Sequence, residues 1–412
     1  MRKILFLFIF LIAFTPVYAR KIEISFWHSL GFHVKALIEE MAQEYSEENP
    51  DVIINPVFQG LFDEMQVKML AAAVTRQLPD VAQVQVEYLD PYIVNGIIEP
   101  IEDSIPQELF NDIPTQLWDL VRRDDSIYAV PFAISTTVFF YNPDAFRRAG
   151  LDPDSPPLTW EELIRIGKRL TRDTDGDGEV DSYAMMFWVN GFYGIMPFFW
   201  ANGGAFFSED GSRVEMTSPA MQTTIRMLMD LIFTYRIMPR TWTDWEGGQA
   251  FLTGKLAMGA FTSAGISYGE QNLPWPLRVS PMPSINGKRY TVLGGSALVN
   301  FSSSKRKTKY INDFIAWCVN KENTIRLHEK IGYVPVRKSA LNSLELKAFH
   351  RENPNYLVPI ESLGYARPLP HHPDFYKMNE LIRDMLHRLI LDESDITAEL
   401  ERVDKEINEL MD

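Results

Sequence analysis

Three groups of residues in this 412-residue chain have the type and spacing that chemistry needs. The first is Asp173-x-Asp175-x-Asp177-Gly178-x-Val180-Asp181, which follows the pattern of an EF-hand-type calcium loop. Carboxylates at alternate positions converge on one hard cation, Gly178 permits the sharp turn, and Glu179 offers a backbone carbonyl. Asp173, Asp175, Asp177, Glu179 and Asp181 are therefore the candidate ligands of a structural Ca2+. Position twelve of the loop is Ala184, so the usual bidentate glutamate is missing and water or a distant residue must complete the sphere. An acidic, solvated turn is the plain alternative.

The second group is aromatic. Trp27, Phe58, Phe62, Trp188, Trp200, Trp242, Trp245, Trp275 and Tyr333 fall at strand ends or in loops, not in helical stripes. A pyranose has apolar C–H faces and polar edges, so aromatic faces beside hydroxyls, amides and carboxylates suit sugar recognition. Any single tryptophan of this set also fits a core position. The third group is Gly294-Gly295-Ser296, with Thr262-Ser263 and the hydroxyl trio Ser135, Thr136, Thr137. Adjacent glycines let backbone N–H groups approach a ligand oxygen, although a bulge in a strand would use them equally well.

Other chemistry lacks its signature. No GxGxxG or Walker loop stands between a strand and a helix, and no HExxH or Cys/His metal spacing occurs. Carboxylates are plentiful, so an exported glycosidase, which needs two of them across a cleft, stays open as an alternative.

The elements that must position these residues follow from periodicity. Lys21–Trp27 alternates as a strand, a helical stripe runs from Val34 to Tyr45, and Val52–Phe58 is a second strand. Leu61–Gln77 then reads as a helix and Val81–Val86 as a third strand. That order means βαβ units and a parallel sheet, with ligands expected at strand carboxyl ends: Trp27-His28, Phe58–Asp63 and Gln83–Glu87. The apolar run Val130–Tyr141 is a buried strand carrying three hydroxyls, placed where the chain leaves one lobe for another. Thr159-x-x-Glu162 is a capping box and Ser218-Pro219 a helix start. Thr291–Phe301 reads as a second crossing and Gly332–Pro335 as a third, and Phe375–Met411 as two amphipathic helices broken at Asp392–Asp395.

The net charge of −15 argues against nucleic acid as a partner. Arg2-Lys3, the apolar Ile4–Phe14 and Val17-Tyr18-Ala19 form an export signal over residues 1–19, too short to span a bilayer. No cysteine near the cleavage site could take a lipid, and Cys318 reads as a buried structural thiol. A periplasmic, monomeric protein is expected.

Several short motifs, in order, carry a family resemblance: Phe26-Trp27-His28-Ser29, Gly60-x-Phe62-Asp63, Pro79-Asp80, Val138–Asn142 and Pro157-Leu158-Thr159-Trp160-Glu161-Glu162-Leu163. Phe251-x-x-Gly254-Lys255-x-Ala257-Met258, Gly294-Gly295 and Gly332-Tyr333-Val334-Pro335 continue the series. Over nearly the whole mature chain this resembles the extracellular solute-binding proteins of ABC importers, the family-1 group serving carbohydrates and glycerol phosphate. Many members also carry a DxDGDGxxD loop.

The resemblance implies an α/β, two-lobe periplasmic-binding-protein-like fold with three hinge crossings and the ligand in the interlobe cleft. Residues 20–132 plus 291–335 would form lobe 1, and 133–290 plus 336–412 lobe 2. It implies no enzymatic activity and no organic cofactor, with a small-molecule ligand and membrane permease subunits as partners. In the glycerol-3-phosphate-binding members, ligand contacts match Phe62, Asp63, Ser135, Trp188, Thr262, Ser263, Gly294, Gly295 and Tyr333. Trp27, Glu87, Trp200 and Trp242 would complete the walls. Two departures matter: a glutamate after the third strand is replaced by Val86, with Glu87 one place along, and Pro368-Leu369-Pro370 is followed by His371, not by the arginine that grips phosphate. Arg367 is the available substitute. Without a bidentate partner an anion loses a strong contact, which places a neutral sugar or oligosaccharide ahead of glycerol 3-phosphate or a glycerophosphodiester.

Overall fold

The computed structural model describes residues 21–187, 191–240 and 243–411. Its first lobe is built on β1 (Ile22–His28), β2 (Val52–Phe58) and β3 (Val81–Gln85), with α1 (Phe32–Glu48) and α2 (Phe62–Thr75) as crossovers. β1 lies between β2 and β3, parallel to both, with Ile22 opposite Val52 and Phe26 opposite Val81. Ile22, Ile24, Phe26 and His28 point into the core, and Phe26 meets Phe314 edge-on. The period-2 pattern read from the sequence is thus the burial pattern.

Two long strands tie this lobe to the second. The second crossing strand (Thr291–Asn300) runs antiparallel to β3, with Ser296 opposite Gln85, and to the first crossing strand (Val130–Tyr141), with Gly294 opposite Ser135 and Gly295 opposite Ile134. The first crossing strand then changes neighbours at Thr137. From there to Tyr141 it pairs with Leu256–Thr262 on one side and Arg278–Ser280 on the other. Its first half belongs to the lobe 1 sheet and its second half to the lobe 2 sheet. Val334 of the third crossing bridges Ile134 on the flank away from Gly295, its N–H donating to the Ile134 carbonyl at 2.7 Å. The three crossings therefore lie side by side, with the first in the middle.

Lobe 2 follows its sequence signals closely. Thr159 and Glu162 form the capping box of the helix Trp160–Leu170, and Ser218 caps the helix opened by Pro219. The C-terminal helices are Phe375–Leu391 and Ile396–Met411, linked by Arg388 donating to the buried Glu399 and by Arg402 donating to Asp384. Residues 305–331 form two helices, Lys305–Cys318 and Lys321–Ile331, because Asn320 caps the second.

The expected return to lobe 2 at residue 336 needs adjusting. Arg337 pairs with Asp112 at 2.6 Å, and Ala340 and Leu346 pack on Ile325, so lobe 1 keeps its hold on the chain past Pro335. No helix among the described residues is long and apolar enough to cross a membrane.

Gly295 is the tightest point of the crossing. Its φ is +119°, and a Cβ there would meet the Ala133 carbonyl oxygen at 2.2 Å. Gly295→Ala is expected to lower the unfolding free energy by at least about 2 kcal/mol in urea denaturation. An unchanged midpoint would show that the crossing does not depend on that approach.

Candidate functional site

The floor between the lobes is made by the three crossings and the carboxyl end of β3. Gln83 accepts from the Ser29 amide at 3.0 Å and donates to Ser296 Oγ at 2.6 Å, so the ends of β1 and β3 and the second crossing share one buried polar line. On the other flank, the Thr136 N–H reaches Ser263 Oγ at 3.4 Å, and Gly332 (φ +110°) lies against the Ser263 carbonyl, where a Cβ would come within 2.3 Å. Thr136 Oγ1 and Glu87 Oε2 are buried and have no hydrogen-bond partner among the described residues. Buried oxygens are normally satisfied, so both can serve water or a ligand.

On the Tyr333 flank a chamber of about 540 Å³ opens between the lobes. Small-molecule sites run from about 300 to 1,000 Å³. Leu30, Leu61 and Phe62 come from lobe 1, Trp245, Phe251, Phe261, Thr262 and Tyr268 from lobe 2, and Tyr333 from the third crossing. Ser29, Gln249 and Thr262 supply hydroxyl or amide groups. The lining residues among those described are all uncharged.

On the opposite flank stands a direct hydrogen bond between the lobes. Tyr193, in the helix Phe192–Ala201, donates its hydroxyl to Glu87 Oε1 at 2.7 Å directly over Gly294. Glu87 is 1% exposed. Burial, only partly offset by the Tyr193 hydrogen bond and the Arg123 charge, raises its pKa from 4.5 to about 7.

The structure brings Phe62, Thr262 and Tyr333 to the chamber wall and sets Ser135, Ser263, Gly294, Gly295 and Glu87 in or against the floor. Asp63 is exposed and faces lobe 2, 3.7 Å from Arg383. Trp27 is half-buried on the face of β1 opposite His28 and does not reach the chamber. Trp200 is 7% exposed and packs on Tyr290. Tyr290 in turn holds Arg367, whose guanidinium lies 4.0 Å over its ring and donates to its hydroxyl. Trp200 and Arg367 thus share a cluster beyond Tyr193, away from the chamber, because Tyr290 satisfies both. Trp188 and Trp242 lie outside the described residues.

In the acidic loop, carboxylate oxygens of Asp173, Asp175 and Asp177 lie within 4.8 Å of one another and are exposed. Asp181 instead accepts from the Thr174 amide and hydroxyl, and the Glu179 amide donates to Asp177.

Sequence reasoning missed Tyr193, Tyr268 and Arg383, and reached Gln83 only as part of a strand end. Tyr193 stands seven residues before Trp200, two helical turns on the same face, and that spacing was the available signal. Nothing local marks Arg383, whose partner Asp63 is far away in the chain.

Two lobes clasping an aromatic-walled chamber, with hydroxyl and amide groups beside the rings, form a small-molecule binding site. The family model for the bacterial extracellular solute-binding protein matches residues 40–354, and the chain belongs to that family. It is the solute-binding component of an ABC importer and not an enzyme. The sn-glycerol-3-phosphate-binding periplasmic protein UgpB of Escherichia coli K12 is 25% identical over 364 residues, 84% of this chain and 82% of that protein. UgpB from Mycobacterium tuberculosis, solved with glycerophosphocholine, superposes with a TM-score of 0.83 at 23% identity, covering 94% and 98% of the two chains. The maltose/maltodextrin-binding domain MalE from Bdellovibrio bacteriovorus, bound to maltotriose, gives 0.83 at 19% identity, covering 95% and 100%. At these identities the superpositions establish the fold.

Because the folded protein keeps the Glu87 proton until about pH 7 and the unfolded chain releases it near 4.5, this group's contribution to stability falls as pH rises between those values. Glu87→Gln should flatten that part of the profile, by roughly 3 kcal/mol across the window. Parallel slopes for wild type and variant in urea melts from pH 4.5 to 7 would show that Glu87 is not the group responsible.

Proposed function

We propose that the protein captures a neutral sugar or oligosaccharide in the interlobe chamber and delivers it to the permease once the lobes have closed. The observation that carries this reading is the chamber itself: about 540 Å³, walled by aromatic rings from both lobes, with uncharged side chains at its described lining positions. Phe62, Trp245 and Tyr333 would meet the C–H faces of the ring, and Ser29, Gln249 and Thr262 its edges. Ligand that touches both lobes favours the closed form by its differential affinity, with bending at the three crossings. The lobe division expected from the sequence fits this motion, with residues 336–346 moving with lobe 1.

A glycerophosphodiester is the second reading. It is favoured by the relatives that bind glycerol 3-phosphate or glycerophosphocholine, and by aromatic walls that would also hold a quaternary ammonium group. Against it, Arg367 is turned to Tyr290. Export by the signal at residues 1–19 fits an extracellular family.

A thermal-shift and calorimetry panel of maltose, maltotriose, glycerol 3-phosphate and glycerophosphocholine tests both readings. A saccharide is expected to raise the melting temperature, since ligand at 100 times its Kd adds about 2.7 kcal/mol. A shift with the phosphates alone would move the assignment to the second reading. Phe62→Ala should weaken binding at least tenfold, about 1.4 kcal/mol, without unfolding the chain.

A structural Ca2+ also fits the Asp173, Asp175 and Asp177 oxygens, with water completing the shell that the missing glutamate leaves open. Millimolar Ca2+ should raise the melting temperature of the wild type and leave Asp175→Asn unmoved. Equal curves with Ca2+ and with chelator would discard the ion.

A further inference from the structure

The Gly294–Gly295 pair was expected to meet ligand, yet a side chain of this protein already stands there. A Cβ on Gly294 would lie 2.3 Å from the Tyr193 hydroxyl and 3.0 Å from Glu87 Oε1. The space above Gly294 is therefore filled by Tyr193, and glycine is required there so that the ring can seat. Tyr193 comes from lobe 2 and Glu87 from lobe 1, so their 2.7 Å hydrogen bond spans the cleft. The first turn of the Tyr193 helix is fixed from behind, because the Phe192 amide donates to Asn379 at 3.0 Å. The tyrosine is consequently held on two sides.

Strand pairing orders the cleft. Ile134 has Val334 on one flank and Gly295 on the other, so the chamber beside Tyr333 and the Tyr193–Glu87 contact lie on opposite flanks of the first crossing strand. A ligand seated in the chamber and extending across Ser135 meets Tyr193 next.

We propose that Tyr193 is a specificity-determining residue: held by Glu87 over Gly294, it ends the cleft and sets the length of ligand the closed protein accepts. Glu87 acts through Tyr193 as a positioning residue, and one of its oxygens is left over for a ligand group that reaches the end wall. The inference rests on the reading that the interlobe chamber holds the ligand.

Dissociation constants for two pairs of short and long probes test it: maltose with maltotetraose, and glycerol 3-phosphate with glycerophosphocholine. The variants are Tyr193→Ala, Tyr193→Phe, Glu87→Ala and Glu87→Gln, each first shown to melt cooperatively. For the pair that wild type binds, Tyr193→Ala should raise affinity for the long member relative to the short one at least tenfold. Glu87→Ala, which releases the ring, should move the ratio in the same direction. Glu87→Gln keeps an acceptor for the hydroxyl and should leave the ratio within threefold of wild type, whereas Tyr193→Phe keeps the ring but loses its hold on Glu87 and should move the ratio in the same direction as Tyr193→Ala, by less. A ratio unchanged in folded Tyr193→Ala and Glu87→Ala would overturn the proposal. Failure of wild type to bind either saccharide would instead sink the saccharide reading, and the second pair then decides the role of Tyr193.

Discussion

Everything in this molecule is arranged about the close approach of two strands where Gly295 passes the carbonyl of Ala133. A side chain at that point would push the second crossing away from the first. The pairings of Gly294 with Ser135 and of Ser296 with Gln85 would then be lost, and with them the shared floor of the two lobes. The residue must also adopt a positive φ, which L side chains avoid. A single glycine thus allows two lobes, each with its own stretch of sheet, to hang from one set of three adjacent strands.

That floor is unusually polar for a buried layer. Ser29, Gln83 and Ser296 satisfy one another, while Thr136 and Glu87 each keep an oxygen without a hydrogen-bond partner among the described residues. Burying an unpaired polar group costs about 1–3 kcal/mol, so a fold gains nothing by keeping two unless something else uses them. Glu87 eases its own cost by holding a proton up to about pH 7. A neutral carboxyl can donate as well as accept, which widens the range of ligand hydroxyls it could meet.

The two flanks of the first crossing strand have opposite characters. On one, aromatic and aliphatic side chains from both lobes leave open space; on the other, Tyr193 and the cluster of Trp200, Tyr290 and Arg367 fill it. Closure about the crossings therefore narrows a chamber already bounded at one end. Trp245, 70% exposed, sits on the rim of that chamber, where lobe movement changes its surroundings most.

Much of the architecture was determined by the sequence alone, because it is written in local periods. Alternation in Ile22–His28 fixed the core face of β1, Thr159 with Glu162 fixed a helix start, and the break at residues 392–395 separated the last two helices. Motif order was enough to anticipate the two-lobe family. Lines of contact between distant segments are not periodic, and only the tertiary structure decided them. Phe62, Thr262 and Tyr333 meet around one chamber, but Trp200 and Arg367 do not, because Tyr290 between them offers a ring and a hydroxyl that no spacing announces. Gly294 read as a ligand cradle until Tyr193, 101 positions earlier in the chain, was seen to occupy it. Residue types reveal what a side chain is able to do; which neighbour uses it first depends on packing across the cleft.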